Sequence, residues 1–365
     1  MTKYNYACSE DKRLLVQSLC YISWLVFGQK NQDIIEAFMQ FFEQQVQEVN
    51  IFPQGTITKK INNATPGICR KDEQSQKLII EMLGYKNAQP SQYAFLKHEG
   101  AHECCHAFAD LLPLLFSKYL QGVTKEGIHC QNHMGMIKEA DPITGALINQ
   151  HFYGKMYNET MMDIITAIGI NAFEVPARQS ADDILKKGYA SWDVAKTSYL
   201  IFTSITRLTI AAFSNNGFVN YADIIKSGRG IFDINTKLKD GTICKVNDFM
   251  YGILFDQFHI EEEFDRFMGQ GSYRIFSEYL DRLFMSCLST QQIDSKEIKM
   301  IMNILPDFLN RKCQYYLKNN LLDQDSVRQI IGNFNQIWNE MQREYAAFFT
   351  QADIEKISDR ARRSR

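Results

Sequence analysis

Residues 95–108 read Phe-Leu-Lys-His-Glu-Gly-Ala-His-Glu-Cys-Cys-His-Ala-Phe. His98, His102 and His106 recur every four residues, with Glu99 and Glu103 between them. On a helix, residues four apart are neighbours on one face. This stretch sits in a helical pattern running from about 92 to 120, opened by Pro90-Ser91 and expected to kink or break at Pro113. The chain has 7 His, and six of them (His98, His102, His106, His129, His133 and His151) fall in one short region. That clustering directs attention to one chemical centre.

Two imidazoles four apart on a helix can meet one Zn²⁺ at about 2.0–2.1 Å each. A Glu directly after the first His lies near the metal without binding it. There it can take a proton from an activated water and pass it to a leaving amine. Two such units overlap here: His98-Glu99-Gly100-Ala101-His102 and His102-Glu103-Cys104-Cys105-His106. Phe95 and Leu96 before His98 favour the first register, because apolar residues seat such a helix in the core. Cys104, Cys105, Ala107 and Phe108 favour the second. The leading reading places the metal on His98 and His102 with Glu99 as base; the alternative uses His102 and His106 with Glu103. An ordinary amphipathic helix with solvated His and Glu is the plainer competitor.

A third ligand is required, and neither register continues with the Gly and His of the longer HExxHxxGxxH pattern. The helical segment from about Lys155 carries Asn158-Glu159-Thr160-Met161-Met162-Asp163. With the His-Glu-x-x-His units, this resembles the gluzincin peptidases, whose third ligand comes from a helix bearing an Asn-Glu…Asp pattern. Thr160 departs from the Gly usual in bacterial members. The resemblance implies a zincin-like fold, Zn²⁺ as cofactor, Glu159 as third ligand and Asp163 as the residue holding a His ring. It spans residues 77–167, and it implies that the Leu78–Leu83 strand offers an edge to an extended peptide. Tyr157 and His151 are candidate donors to the oxyanion of a peptide substrate. His129 and His133, flanked by Gly127 and Gly135, read as loop residues near the cleft or a second metal site.

The expected architecture is α+β and mainly helical: a zincin-like metallopeptidase domain over 1–175, then a helical domain over 176–365 suited to substrate recognition. Residues 11–50 read as two helices, 51–76 as turns and 122–154 as irregular, with a hairpin candidate at Ile231–Leu238 and Thr242–Val246. A formal net charge of −2 gives no whole-molecule case for nucleic acid. The apolar runs at Leu19–Phe27 and Tyr199–Phe213 are too short or too interrupted to span a bilayer. The 9 Cys are odd in number, without regular spacing, and read as thiols of a protein folded in a reducing compartment. No signal peptide is legible at the N-terminus.

In residue usage and early motif position the chain also resembles effector proteases of Legionella-type intracellular bacteria. That resemblance implies synthesis in the cytoplasm, export into a host cell and a host protein substrate such as actin. Two other classes compete: a helical interaction protein whose metal is structural or absent, and a carboxylate-bridged di-metal protein built on Glu99/His102 and Glu103/His106.

Overall fold

The computed structural model describes residues 2–28, 32–62, 66–119, 135–140, 147–174, 195–213, 236–237, 243–244, 257–290, 295–339 and 341. They are mainly helical with a small sheet, and they cluster in two units. One lies within Met1–Asp193 and Val219–Glu261, the other within Val194–Phe218 and Glu262–Arg365. The boundary expected at residues 175–176 lies outside the described residues, as do His129 and His133.

The first unit opens with β1 (Lys3–Tyr6), α1 (Ser9–Phe27) and α2 (Gln32–Gln45). It continues through β2 (Val46–Phe52), β3 (Gly67–Lys71) and β4 (Leu78–Leu83) to α3 (Tyr93–Tyr119). Leu14, Leu15, Leu19, Ile22 and Val26 line the buried stripe of α1. The four strands form one mixed sheet in the order β1-β2-β4-β3. β1, β2 and β4 are parallel, and β3 runs antiparallel to β4.

Three expectations change here. The helix expected to reach residue 50 ends at Gln45, because Val46, Val49 and Ile51 turn inward as a strand. Residues 67–71, expected as turns, form β3. The Leu78–Leu83 strand exists, but it is interior, paired on both sides, and so is not a free edge; among the described residues the edges are β1 and β3. The near-continuous apolar run of β4 fits a strand buried on both faces.

The helix α3 continues through Pro113, so the break expected there is not its end. It packs against α1, α2 and β3. Phe27, Phe38 and Phe108 join the three helices, with Phe38 stacked on Phe108 at 3.6 Å. Gly100 permits this approach: a Cβ there would meet three Leu14 side-chain atoms at 3.1–3.2 Å. The segment expected to be irregular contains an antiparallel pair, β5 (Gly135–Ala140) and β6 (Leu147–Tyr153), which leads into α4 (Lys155–Glu174). A short pair, Thr236–Lys237 with Ile243–Cys244, falls inside the expected later hairpin.

The second unit is helical among its described residues: α5 (Ala195–Phe213), the part of α6 (Gln257–Met268) from Glu262 on, α7 (Ser272–Thr290), α8 (Ser295–Lys318) and a helix over 324–339. Phe213, Phe264 and Phe308 form its aromatic centre. Lys312 is buried there, its Nζ 3.0 Å from Glu263 and donating to the Phe213 and Ala212 carbonyls at the end of α5. No described helix is long and apolar enough to cross a membrane.

Candidate metal centre

Two adjoining stripes of α3 face different elements. The His stripe meets α4, and the Glu stripe meets β3. Each follows from the four-residue spacing, which carries a side chain one turn on with about a 40° drift around the helix.

Across the first interface, Glu159 and Asp163 are themselves one turn apart on α4. Asp163 Oδ1 lies 3.0 Å from His98 Nε2 and 2.8 Å from His102 Nδ1. Glu159 Oε2 lies 3.7 Å from His102 Nε2 and 3.6 Å from His106 Nε2. The later acid meets the earlier histidines, so α3 and α4 run antiparallel. His102 and His106 bring their Nε2 atoms within 3.0 Å of each other.

Two groups result, sharing His102. Buried His98, His102 and Asp163 lie close enough to hold a metal ion, and so do His102, His106 and Glu159. The expected ligand set of His98, His102 and Glu159 is therefore divided: Glu159 groups with His102 and His106, and His98 groups with Asp163. The groups also differ in access. Side-chain exposure is 3% for His98 and 1% for Asp163, against 17% for His106 and 28% for Glu159.

Electrostatics follow this layout. Burial opposes charge on His102, yet Asp163 and Glu159 raise its pKa well above the usual histidine range. Burial likewise opposes charge on Asp163, but His102 and His98 bring it down to about 2. Glu159 is held well below the carboxylate range against its own burial, by His106 and His102. These are the pairings of a histidine–carboxylate cluster tuned to hold charge.

At the second interface, Glu99 and Glu103 project toward Gly67 at the start of β3. A Cβ on Gly67 would lie 2.6 Å from Glu103 Cγ and 2.8 Å from the Oε1 atoms of both Glu103 and Glu99. Only a residue without a side chain fits there. Burial pushes Glu103 well above the usual carboxylate range, opposed by His102 and by a hydrogen bond from the Cys69 backbone N–H. Glu99 is raised by burial too, against the pull of His102 and His98. Glu103 Oε2 and Asn158 Oδ1 are buried with no hydrogen-bond partner among the described residues. Each is an acceptor facing inward with capacity left for a ligand.

Of the other expected site residues, Tyr157 is fully buried in α4. Two positions before Glu159, it lies on a different face from Glu159 and Asp163. His151 is in β6, opposite Ile137, and its side chain lies outside the described residues. Cys104 and Cys105 are buried; Cys105 accepts a hydrogen bond from Thr166, and burial pushes its thiol up to about 12. That argues for packing and against thiolate ligation. Cys8, Cys20, Cys69, Cys104, Cys105, Cys287 and Cys313 are all free.

Sequence reasoning missed Gly67 and the β3 edge. Their only local signal is a glycine after Pro66, which marks a turn as readily as a close approach. Comparison with known proteins finds no matching family model, no matching curated protein and no matching solved structure.

Proposed function

We propose that the chain is a zinc-dependent endopeptidase of gluzincin-like design, with His102, His106 and Glu159 as ligands and Glu103 as general base. The observation that carries this reading is the convergence of His102, His106 and Glu159 on one point, with two of the three partly exposed. Ligands at about 2.0–2.1 Å in tetrahedral geometry stand about 3.3–3.4 Å from one another. The three separations in this group are 3.0, 3.6 and 3.7 Å and bracket that value. The Asp163 contacts, 2.8 and 3.0 Å, are as close, so access rather than spacing separates the two groups.

Access supports the same register. His102 Nε2 faces His106 and Glu159, while its Nδ1 lies 2.8 Å from Asp163 Oδ1. Glu159 and His106 are the partly exposed members, which suits a centre that must admit substrate. Glu103 follows the first ligand directly, and its buried, unpartnered Oε2 suits a base.

Zinc bound there would lower the pKa of a water and polarise a peptide carbonyl. Glu103 would hold the proton lost by an attacking water and pass it to the leaving amine. The Cys69 N–H and the close pass of Gly67 hold the Glu103 side chain against β3. The free edge of β3 offers backbone groups to an extended substrate chain. A host protein such as actin remains the proposed substrate class on the effector resemblance alone, with export into a host cell as its corollary.

The test is cleavage of casein and of actin by the zinc-loaded full chain, beside Glu103→Gln and a chelator-treated sample. The reading requires cleavage that both treatments abolish while Glu103→Gln still binds zinc. Zinc binding without cleavage of any protein would instead favour the helical interaction protein with a structural metal.

A further inference from the structure

His102 stands where the two groups meet, and it faces them with different ring nitrogens. Nε2 lies 3.0 Å from His106 Nε2 and 3.7 Å from Glu159 Oε2. Nδ1, on the other side of the ring, lies 2.8 Å from Asp163 Oδ1. That nitrogen is buried and has no hydrogen-bond partner among the described residues, because the nearby carboxylate oxygen lacks hydrogen-bond geometry toward it. A polar atom buried in this way is costly unless a ligand takes it up. His98 Nε2 approaches the same oxygen, at 3.0 Å, from the preceding turn of α3. Two imidazole nitrogens and one carboxylate oxygen thus lie within 4.8 Å of one another. Their side chains are 3%, 9% and 1% exposed.

We infer that this inner group holds a second Zn²⁺ beside the outer one, with the His102 ring as the bridge: Nδ1 to the inner ion and Nε2 to the outer. The inference rests on the proposed ligand set of His102, His106 and Glu159 for the outer ion. Two imidazoles and a carboxylate are a donor set that suits zinc. The two nitrogens of one imidazole point away from each other, so the ions do not compete for a lone pair. Each ring nitrogen of His102 gives its proton to solvent as its ion binds. The resulting anionic ring and Asp163 supply the negative charge that a buried cation needs. The inner ion is enclosed, so its role is structural. It holds His102 in place and leaves substrate chemistry to the partly exposed outer position. Its cost is geometric: donors at 2.8 and 3.0 Å must spread by about 0.3–0.6 Å to reach the ~3.3–3.4 Å of a tetrahedral shell. In a close-packed interior that strain makes the inner ion the weaker of the two, by about 100-fold.

The experiment uses the full chain and its His98→Ala, Asp163→Asn and His106→Ala forms. Zn²⁺ bound per chain is titrated against a chromophoric chelator, and thermal unfolding of the metal-free forms reports folding. The parent should bind two Zn²⁺, in steps separated by about 100-fold in free metal. His98→Ala and Asp163→Asn should lose the weaker step and keep the tighter, whereas His106→Ala should lose the tighter and keep the weaker. With Co²⁺ in both positions, the electron paramagnetic resonance signal should fall below that of two separate ions, because spins joined through one imidazolate couple. His98→Ala should restore the full signal of a single ion. One Zn²⁺ per chain in the parent, or two in His98→Ala, overturns the second site. An uncoupled Co²⁺ pair overturns the bridge. If His98→Ala fails to fold, Asp163→Asn and the parental Co²⁺ signal decide. Either failure leaves the outer ligand set standing as long as His106→Ala loses the tighter step. A tighter step lost in His98→Ala but kept in His106→Ala overturns that ligand set itself.

Discussion

Replacing Gly67 with Ala tests whether the base is held by the edge strand. The added methyl would stand 2.6 Å from Glu103 Cγ, where carbon atoms pack at about 3.5–4.0 Å. Glu103 must retreat by roughly 1 Å, or β3 must peel from α3 by as much. Overpacking of this kind costs about 1–3 kcal/mol. A displacement of ~1 Å in a reacting group costs about 10²-fold in rate. Zinc affinity should be unchanged, because the three atoms nearest the added methyl all belong to Glu99 and Glu103, which are not among the proposed ligands. Stability is best followed by hydrogen exchange of amides in β4, which pairs with β3 and reports the first unit alone. The decisive comparison is a double-mutant cycle with Glu103→Ala, which removes two of the three atoms struck and leaves Glu99 Oε1 at 2.8 Å. Gly67→Ala should lose part of its cost there, a coupling of about 1 kcal/mol or more. Additivity within about 0.5 kcal/mol would refute the steric argument.

Glu103→Gln should lower protein cleavage by at least ~100-fold with zinc retained, while Glu99→Gln has a smaller effect; the reverse order would return the base to Glu99. At free zinc 100-fold above its dissociation constant the parent should gain about 2.7 kcal/mol in stability, and Glu159→Ala should gain none, as read from unfolding with and without the metal. His102 has a raised pKa in the metal-free fold, so its contribution to stability is complete below its ordinary value of about 6.5. It is lost as pH rises through the raised folded value. Zinc must expel that proton, so titration calorimetry near pH 7 in two buffers of different ionisation enthalpy should detect proton release; equal heats would contradict the assignment. In the second unit, Lys312→Met leaves Glu263 buried without its cation and should cost about 3–5 kcal/mol in unfolding experiments, part of it recovered by adding Glu263→Gln.

The features legible from the sequence are those that repeat within a few residues. The His and Glu stripes of α3, the acids of α4 and the apolar run of β4 are each local patterns, and each forms the element expected. β3 was not legible, because Gly-Ile-Cys-Arg-Lys is short, half-exposed and without alternation, and its neighbour β4 is supplied from residues 78–83. Nor did Val46–Phe52 stand apart from the helix before it until its pairing with β4 turned Val46, Val49 and Ile51 inward. The register of the candidate metal centre is the sharpest case. The sequence by itself determined that three histidines and two glutamates share one helix and that an Asn-Glu…Asp segment is available to face them. His98 and His106 lie about 80° apart around that helix, and nothing local distinguishes them. Only the tertiary structure decided which stands beside Glu159. Antiparallel packing of α4 on α3 matches the later acid to the earlier histidines, and a helix cannot encode the side from which its neighbour approaches.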